Sequence, residues 1–298
     1  MRGTNGRLTW DPQQTLGAAR SDAAQFCLTA VTLLARREKR MALKIELGKK
    51  RSPQEAKAIV DELYRKVRDR WEVRVNQRPF MQQLVAGKLP IKVLQTFFRN
   101  WGAYTIEINT LTACTYHKHL TFFKTHRDLM APLGEKIADE FIHPKPPGHF
   151  LVMLQTAQAF GLTEEEVFST PMLSEFRGKI DFMRSIVYEG TAAEWYASVT
   201  TEEQIGHWSA VCYKALTSHY GFDRDKATYF ATHVEADLEE HEAGVMGHAS
   251  FNRMALQRLL ETGMADERPT YGVEYCAMTS VDLHGVMLRS AMEEAQRN

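Results

Sequence analysis

The stretch "HVEADLEEH", residues 233–241, sets two histidines among a run of carboxylates. It lies inside "KATYFATHVEADLEEHEAGVMGH", which has no proline and no glycine before Gly244, so a helix is its natural conformation. At about 100° per residue, Asp237 falls roughly 40° from His233, Glu240 at about −20° and His241 at about 80°. His233, Asp237 and Glu240 therefore share one narrow stripe, while Glu235, Glu239 and Glu242 point away. A solvated acidic face has no need of such a stripe; a metal ion does, because its ligands must converge. A second pair lies in "DEFIH", where Glu140 and His143 are three residues apart and so stand one turn apart on a helix. Helical di-metal carboxylate proteins use that spacing to bring a carboxylate and an imidazole to ions in a bundle core. His149, beyond the proline-rich break, competes with His143, since at the start of the next helix it can turn back toward Glu140. Oxygen ligands with few imidazoles suit iron or manganese better than a thiolate zinc site. Glu107, beside Tyr104 and Leu111, reads as an interior carboxylate, and with Tyr104 as a group near the ligands or facing substrate. The other histidines (His117, His119, His126, His207, His219, His248 and His284) read as surface or satisfied core residues.

These residues need helices to carry them. "RSPQEAK" places Ser52, Pro53 and Glu55 as a capping box with proline at the first helical position. In "IKVLQTFFRNWGAYTIEINTLTACTYHKHL", the residues Phe97, Trp101, Tyr104, Ile108 and Leu111 recur every three or four positions, a buried stripe. "DLMAPLGEKIADEFIH" is a helix stopped by "PKPPG", and "HFLVMLQTAQAFG" another, ended by Gly161. Thr163 and Glu166 make a further capping box. "TAAEWYASVTTEEQIGHWSAVCYKALTSHYG" is one long helix or two, with Thr200 and Glu203 as a candidate internal cap. "FNRMALQRLLETG" and "SVDLHGVMLRSAMEEAQ" complete the series. No segment alternates with a period of two, and no Pro/Gly/Ser-rich linker divides residues 50–295. The expectation is an all-α bundle of about seven to nine helices over residues 46–298, with residues 1–45 a poorly ordered N-terminal extension.

Composition bounds the function. The 298 residues are 44% hydrophobic and 25% charged, with 37 basic and 37 acidic side chains, a balance that favours neither nucleic acid nor an anionic membrane as partner. Cys27, Cys114, Cys212 and Cys276 form no CxxC pair, which suits a reducing, cytoplasmic setting. "FCLTAVTLLA", residues 26–35, is too short to span a bilayer, and "RREKR" follows where a signal peptide would have small residues. Nucleotide-binding glycine motifs, G-x-S-x-G and H-E-x-x-H are all missing.

"FFRNWGAYTIEIN", "IADEFIH…GHFLVMLQTAQAFGL", "TTEEQIG" and "HYGFDRDKATYFATHVEAD" resemble, in order, the helices of heme-oxygenase-like proteins, over about residues 55–265. That group includes thiaminase II, the pyrroloquinoline-quinone synthase family and heme-oxygenase-like diiron oxidases. The diiron branch implies a ligand set of Glu140 with His143 or His149, Glu202 from "TEEQI", and His233 with Asp237. Where that branch has a final histidine this chain has Glu240, with His241 next to it, so either could serve. The resemblance implies Fe(II), two ions, with manganese an alternative in one site. Its partners would be dioxygen and an amino-acid-like or fatty-acid substrate, with an external electron donor and a homodimer compatible with it. The competing expectations are a cofactor-free quinone-synthase-like enzyme, a thiaminase-like one with Cys212 or Cys114 as nucleophile, and a non-enzymatic helical interaction protein.

Overall fold

In the computed structural model, which describes residues 48–142, 148–238, 246–265 and 270–297, the first helix begins where the sequence caps it. Ser52 accepts from the backbone N–H of Glu55, and the Glu55 carboxylate accepts from the backbone N–H of Ser52 at 2.9 Å. Helix α1 (Pro53–Trp71) then buries Val60, Leu63, Tyr64, Val67 and Trp71 along one face and runs on into a π-helical turn, Glu72–Asn76. Twelve further α-helices follow among the described residues: α2 (Pro79–Val85), α3 (Ile91–Lys118), α4 (Leu120–Thr125), α5 (Met130–Phe141), α6 (His149–Ala159), α7 (Glu164–Ser169), α8 (Ser174–Glu189), α9 (Ala192–Ser198), α10 (Thr201–His219), α11 (Thr228–Leu238), α12 (His248–Thr262) and α13 (Val273–Arg297). No strand occurs among the described residues. Nine of the thirteen helices have at least eleven residues; the other four are turns of six or seven residues that bridge longer elements. The all-α class stands, and the count exceeds seven to nine because these short bridging helices have too few turns to show a periodic stripe.

Local signals set several boundaries. Thr163 and Glu166 form the second capping box, at the head of α7. Helix α6 ends at Ala159, two residues before Gly161, whose φ of 86° lies in the left-handed region that glycine adopts without strain. The long segment from Thr191 is two helices, but Thr200 does not cap the second. Its hydroxyl donates back to the carbonyl of Ala197 at 2.7 Å, and Glu203 pairs with Arg253 at 2.8 Å. The cap in this segment is Thr191 with Glu194, at the head of α9.

The central helix is α3. Phe97, Trp101 and Tyr104 stack in succession along it, with ring centroids 5.0 and 4.6 Å apart, and all three are buried. Offset aromatic pairs of this kind contribute about 0.5–1.5 kcal/mol each beyond the area they bury. Around α3 pack α6, α7, α8 and α13, while α10 and α11 form a closely packed pair. Helices α5, α6, α10, α11 and α12 pack on one another and contribute the polar side chains of the site. The expected extension over residues 1–45 lies outside the described residues.

Candidate metal and substrate site

His233, one turn after Tyr229 on α11, has Nδ1 3.0 Å from the Tyr229 carbonyl. A carbonyl only accepts, so Nδ1 carries the proton and Nε2 is left as the ligand atom. Asp237 lies one turn further on and is 3% exposed; one of its oxygens, Oδ2, has no hydrogen-bond partner among the described residues. From α12, His248 places Nδ1 3.2 Å from Asp237 Oδ1 and Nε2 3.0 Å from Asp139 Oδ2. Asp139 therefore orients the ring, the role that a carboxylate behind a histidine ligand commonly plays. Ligand atoms of Glu202, Asp237 and His248 all lie within 4.8 Å of one another, close enough to share one ion. Beside them, His149 Nδ1 is 3.3 Å from Glu140 Oε2, an electrostatic contact that is not aimed as a hydrogen bond, and its ring centroid is 4.5 Å from that of His233.

Further residues hold these groups in place. Asn109 donates to Glu140 Oε2 at 2.6 Å. Glu202 Oε2 receives Lys136 Nζ at 2.5 Å and Asn252 Nδ2 at 2.7 Å, and Lys136 also donates to Asn252 Oδ1 at 3.1 Å. Helix α5 thus carries Lys136, Asp139 and Glu140 within five residues, so three roles come from one helical face and its flank.

The electrostatics follow from that crowding. Burial is the largest influence on Glu140 and opposes its ionisation, but His149, His248 and His233 together hold its carboxyl down at about 2. Burial likewise dominates at His233, aided by the neighbouring His149, and pushes its pKa down to about 4, which keeps the imidazole neutral for a metal. At His248 burial works against the charged form, yet Asp139 and Asp237 outweigh it and raise the pKa to about 10. Orphaned buried atoms on Asp237 and His149, in a knot of carboxylates and imidazoles, are the donor set of a hard or borderline cation. The residues fit iron.

The site opens on a cavity of about 80 Å³. Its lining includes the aromatic side chains Trp101, Tyr104 and Tyr229 together with Glu140, Glu202, His233, Asp237 and His248. Tyr229 accepts from Trp101 Nε1 at 2.6 Å, and burial holds its phenol well above the ordinary range.

Of the residues singled out in the sequence, Glu140, His149, Glu202, His233 and Asp237 are brought together here, and Tyr104 lines the cavity. His143, Glu240 and His241, with Glu239 and Glu242, lie outside the described residues. Glu235 points to solvent and pairs with Arg224. Glu107 is a correction: it is half-exposed and binds Arg177 through two hydrogen bonds of 2.6 and 2.7 Å, so it neither faces the cavity nor supports a ligand. The mutual pull of that pair lowers its carboxyl. His248 is a buried core histidine held by Asp139 and Asp237, within the reading given to it above; what that reading lacks is its place within reach of the same ion as Glu202 and Asp237. "GH" at 148–149 and at 247–248 each begins a helix on the histidine with the glycine as its cap, while a third "GH", at 206–207, lies inside α10, so the pair alone does not mark the site. Lys136, Asp139, Asn109 and Asn252 were also missed; nothing in their local spacing marks them.

The geometry gathers carboxylate and imidazole side chains in the interior of a helical bundle. The profile of the iron-containing redox enzyme family matches residues 101–269, so this chain belongs to that family. Among solved structures it is similar to a domain of unknown function with a heme-oxygenase-like fold from Shewanella denitrificans, at 18% identity and TM-score 0.61, over 79% of this chain and 93% of the other. A TenA homolog from Pseudomonas syringae pv. tomato shares 14% identity at TM-score 0.58, over 80% and 92%. A CADD-like protein of unknown function from Nostoc punctiforme shares 14% at TM-score 0.55, over 82% and 96%. The fold is heme-oxygenase-like. No curated protein sequence matches the chain. No helix among the described residues is long and apolar enough to cross a membrane.

Proposed function

We propose that this protein is a non-heme iron oxidase or oxygenase that uses dioxygen to oxidise a small organic molecule, with two ferrous ions as its full complement. One observation carries the reading: Glu202, Asp237 and His248 stand within reach of one ion, Glu140 and His233 line the same cavity, and His149 packs against both of these. Iron bound there supplies the electrons that activate dioxygen. Everything else is the work of this chain. The Tyr229 carbonyl fixes the His233 tautomer, and Asp139 accepts a hydrogen bond from Nε2–H of His248, which leaves Nδ1 as the ligand atom. Asn109 holds Glu140, while Lys136 and Asn252 hold Glu202. The aromatic side chains of the lining keep bulk water from the cavity, which strengthens each electrostatic contact inside it.

The thiaminase-like alternative draws support from the TenA likeness but meets an obstacle. Cys212 is buried and its thiol is pushed well above the ordinary range, so a thiolate is costly there, and neither Cys212 nor Cys114 lines the cavity. The test is anaerobic loading with Fe(II), metal analysis, and exposure to air in an oxygen-electrode cell. Iron that remains bound through desalting, and oxygen uptake that depends on it, is the expected result. A chain that retains no iron, Mn(II) or other divalent ion defeats the proposal.

A further inference from the structure

Away from the metal ligands, the same cavity is lined by Lys179, Thr201 and Ser280. Lys179 comes from α8 and is 2% exposed. Its ammonium makes a single hydrogen bond, 3.3 Å to the Ser280 carbonyl, and no carboxylate among the described residues lies within ion-pairing distance. The hydroxyls of Thr201 and Ser280 face each other at 3.5 Å. Near it, His284 is fully buried against Trp71 and Trp208, and neither of its ring nitrogens has a partner. A buried lysine without a counter-ion costs free energy, and burial alone brings the pKa of Lys179 down to about 7. The contrast with Lys136 is instructive, since that lysine is equally buried but has Glu202 and Asn252. Lys179 keeps donors unused on the wall of a cavity.

The geometry points to Lys179 as the anchor for the carboxylate of a small monocarboxylic acid, held so that the rest of the molecule shares the cavity with the metal ligands. This deepens the iron-oxidase reading and rests on it for the substrate's fate, though not for the binding itself. One buried cation neutralises one negative charge, which favours a carboxylate over a doubly charged phosphate ester. Two oxygens match the donors that Lys179 has left, with the Thr201 and Ser280 hydroxyls at hand. A volume of about 80 Å³ holds a short-chain acid and is far below the several hundred Å³ typical of drug-sized ligands.

The experiment is isothermal titration of the full chain, metal-free and Mn(II)-loaded, with acetate, propanoate and butanoate, and with butanamide as the neutral match. Parent, Lys179→Met and Lys179→Arg are compared. Butanoate should bind the metal-free parent roughly tenfold or more tightly than butanamide, as a charge-assisted hydrogen bond implies. Lys179→Met should lose that preference and Lys179→Arg should keep most of it. Thermal unfolding of ligand-free Lys179→Met should come at or above the parent temperature, because an unpaired buried charge has been removed. A parent that binds butanoate no better than butanamide overturns the anchor, and so does a Lys179→Met variant that binds butanoate like the parent. Butanoate binding without any Mn(II) uptake keeps the anchor and sinks the iron reading; Mn(II) uptake without a carboxylate preference does the reverse.

Discussion

At the scale of single residues, the decisive atoms are those with only one remaining use. His233 has spent Nδ1 on the Tyr229 carbonyl, and Asp237 has an oxygen with no partner, so each has one site left to offer a cation. His233→Ala, Asp237→Ala and His248→Ala should each weaken Mn(II) or Fe(II) binding by roughly tenfold or more, the loss seen when even supporting residues of a metal site are removed. Glu235→Ala should bind like the parent, since its partner is the surface residue Arg224. Anaerobic metal titration decides between the two outcomes, and equal behaviour of all four variants would leave only an acidic helix face. His248 also sets a pH dependence. Its pKa is raised from 6.5 to about 10, so in the metal-free chain the contacts with Asp139 and Asp237 stabilise fully below about pH 6.5 and fade as pH rises through about 10. A metal must displace one of its two protons. Between pH 6.5 and 9, each ion bound through His248 should release a proton, and affinity should rise about tenfold per pH unit from this group. Calorimetry in two buffers of different ionisation enthalpy measures that proton. His248→Ala should remove it.

At the scale of helices, the site depends on α5 and α6 meeting closely. Gly148 caps α6, and a Cβ there would lie 2.4 Å from the Phe141 carbonyl carbon and 2.5 Å from the Glu140 carbonyl oxygen. Backbone cannot yield as a side-chain end can, so Gly148→Ala should push the two helices apart, with a stability cost of about 1–3 kcal/mol. Because Glu140 and His149 sit at those two ends, metal affinity should fall with it; a variant with parent-like unfolding and metal uptake would show that the approach is looser than the geometry states. Much of this arrangement was legible along the chain. The capping boxes at Ser52 and Thr163, the aromatic stripe from Phe97 to Leu111, and the His233–Asp237 stripe are all local, and local patterns survive translation into sequence. Lys136 and Asn252 meet Glu202 across 66 and 50 residues, and no periodicity encodes such a meeting. Glu107 misled for the same reason. Its place beside Tyr104 suggested burial, but the partner that draws it outward is Arg177, seventy residues away.

At the scale of the whole molecule, the site joins five helices that otherwise have reason to separate. Four carboxylates, from Asp139, Glu140, Glu202 and Asp237, are gathered at one place, with Lys136 and the histidines opposing them. Buried like charges repel, and the repulsion falls on the packing of α5 and α6 against α10, α11 and α12. A divalent ion that binds only the folded arrangement stabilises all five at once. At a free concentration one hundred times its dissociation constant, the gain is about 2.7 kcal/mol, which for a domain of this size raises the unfolding temperature by roughly 5–10 °C. Lys136 makes this prediction sharper. Lys136→Met leaves Glu202 without its internal cation, so the metal-free variant should lose stability, by less than the roughly 3–5 kcal/mol of a fully buried pair because Glu202 is partly exposed and keeps Asn252. Saturating Mn(II) should restore more stability to that variant than it adds to the parent, because only there does the ion supply a cation that Glu202 lacks. Unfolding curves of both proteins, with Mn(II) and with chelator, give the four numbers required. If Mn(II) raises the parent and the variant by equal amounts, Glu202 takes no part in holding the metal, and the ion belongs with Glu140, His149, His233 and Asp237.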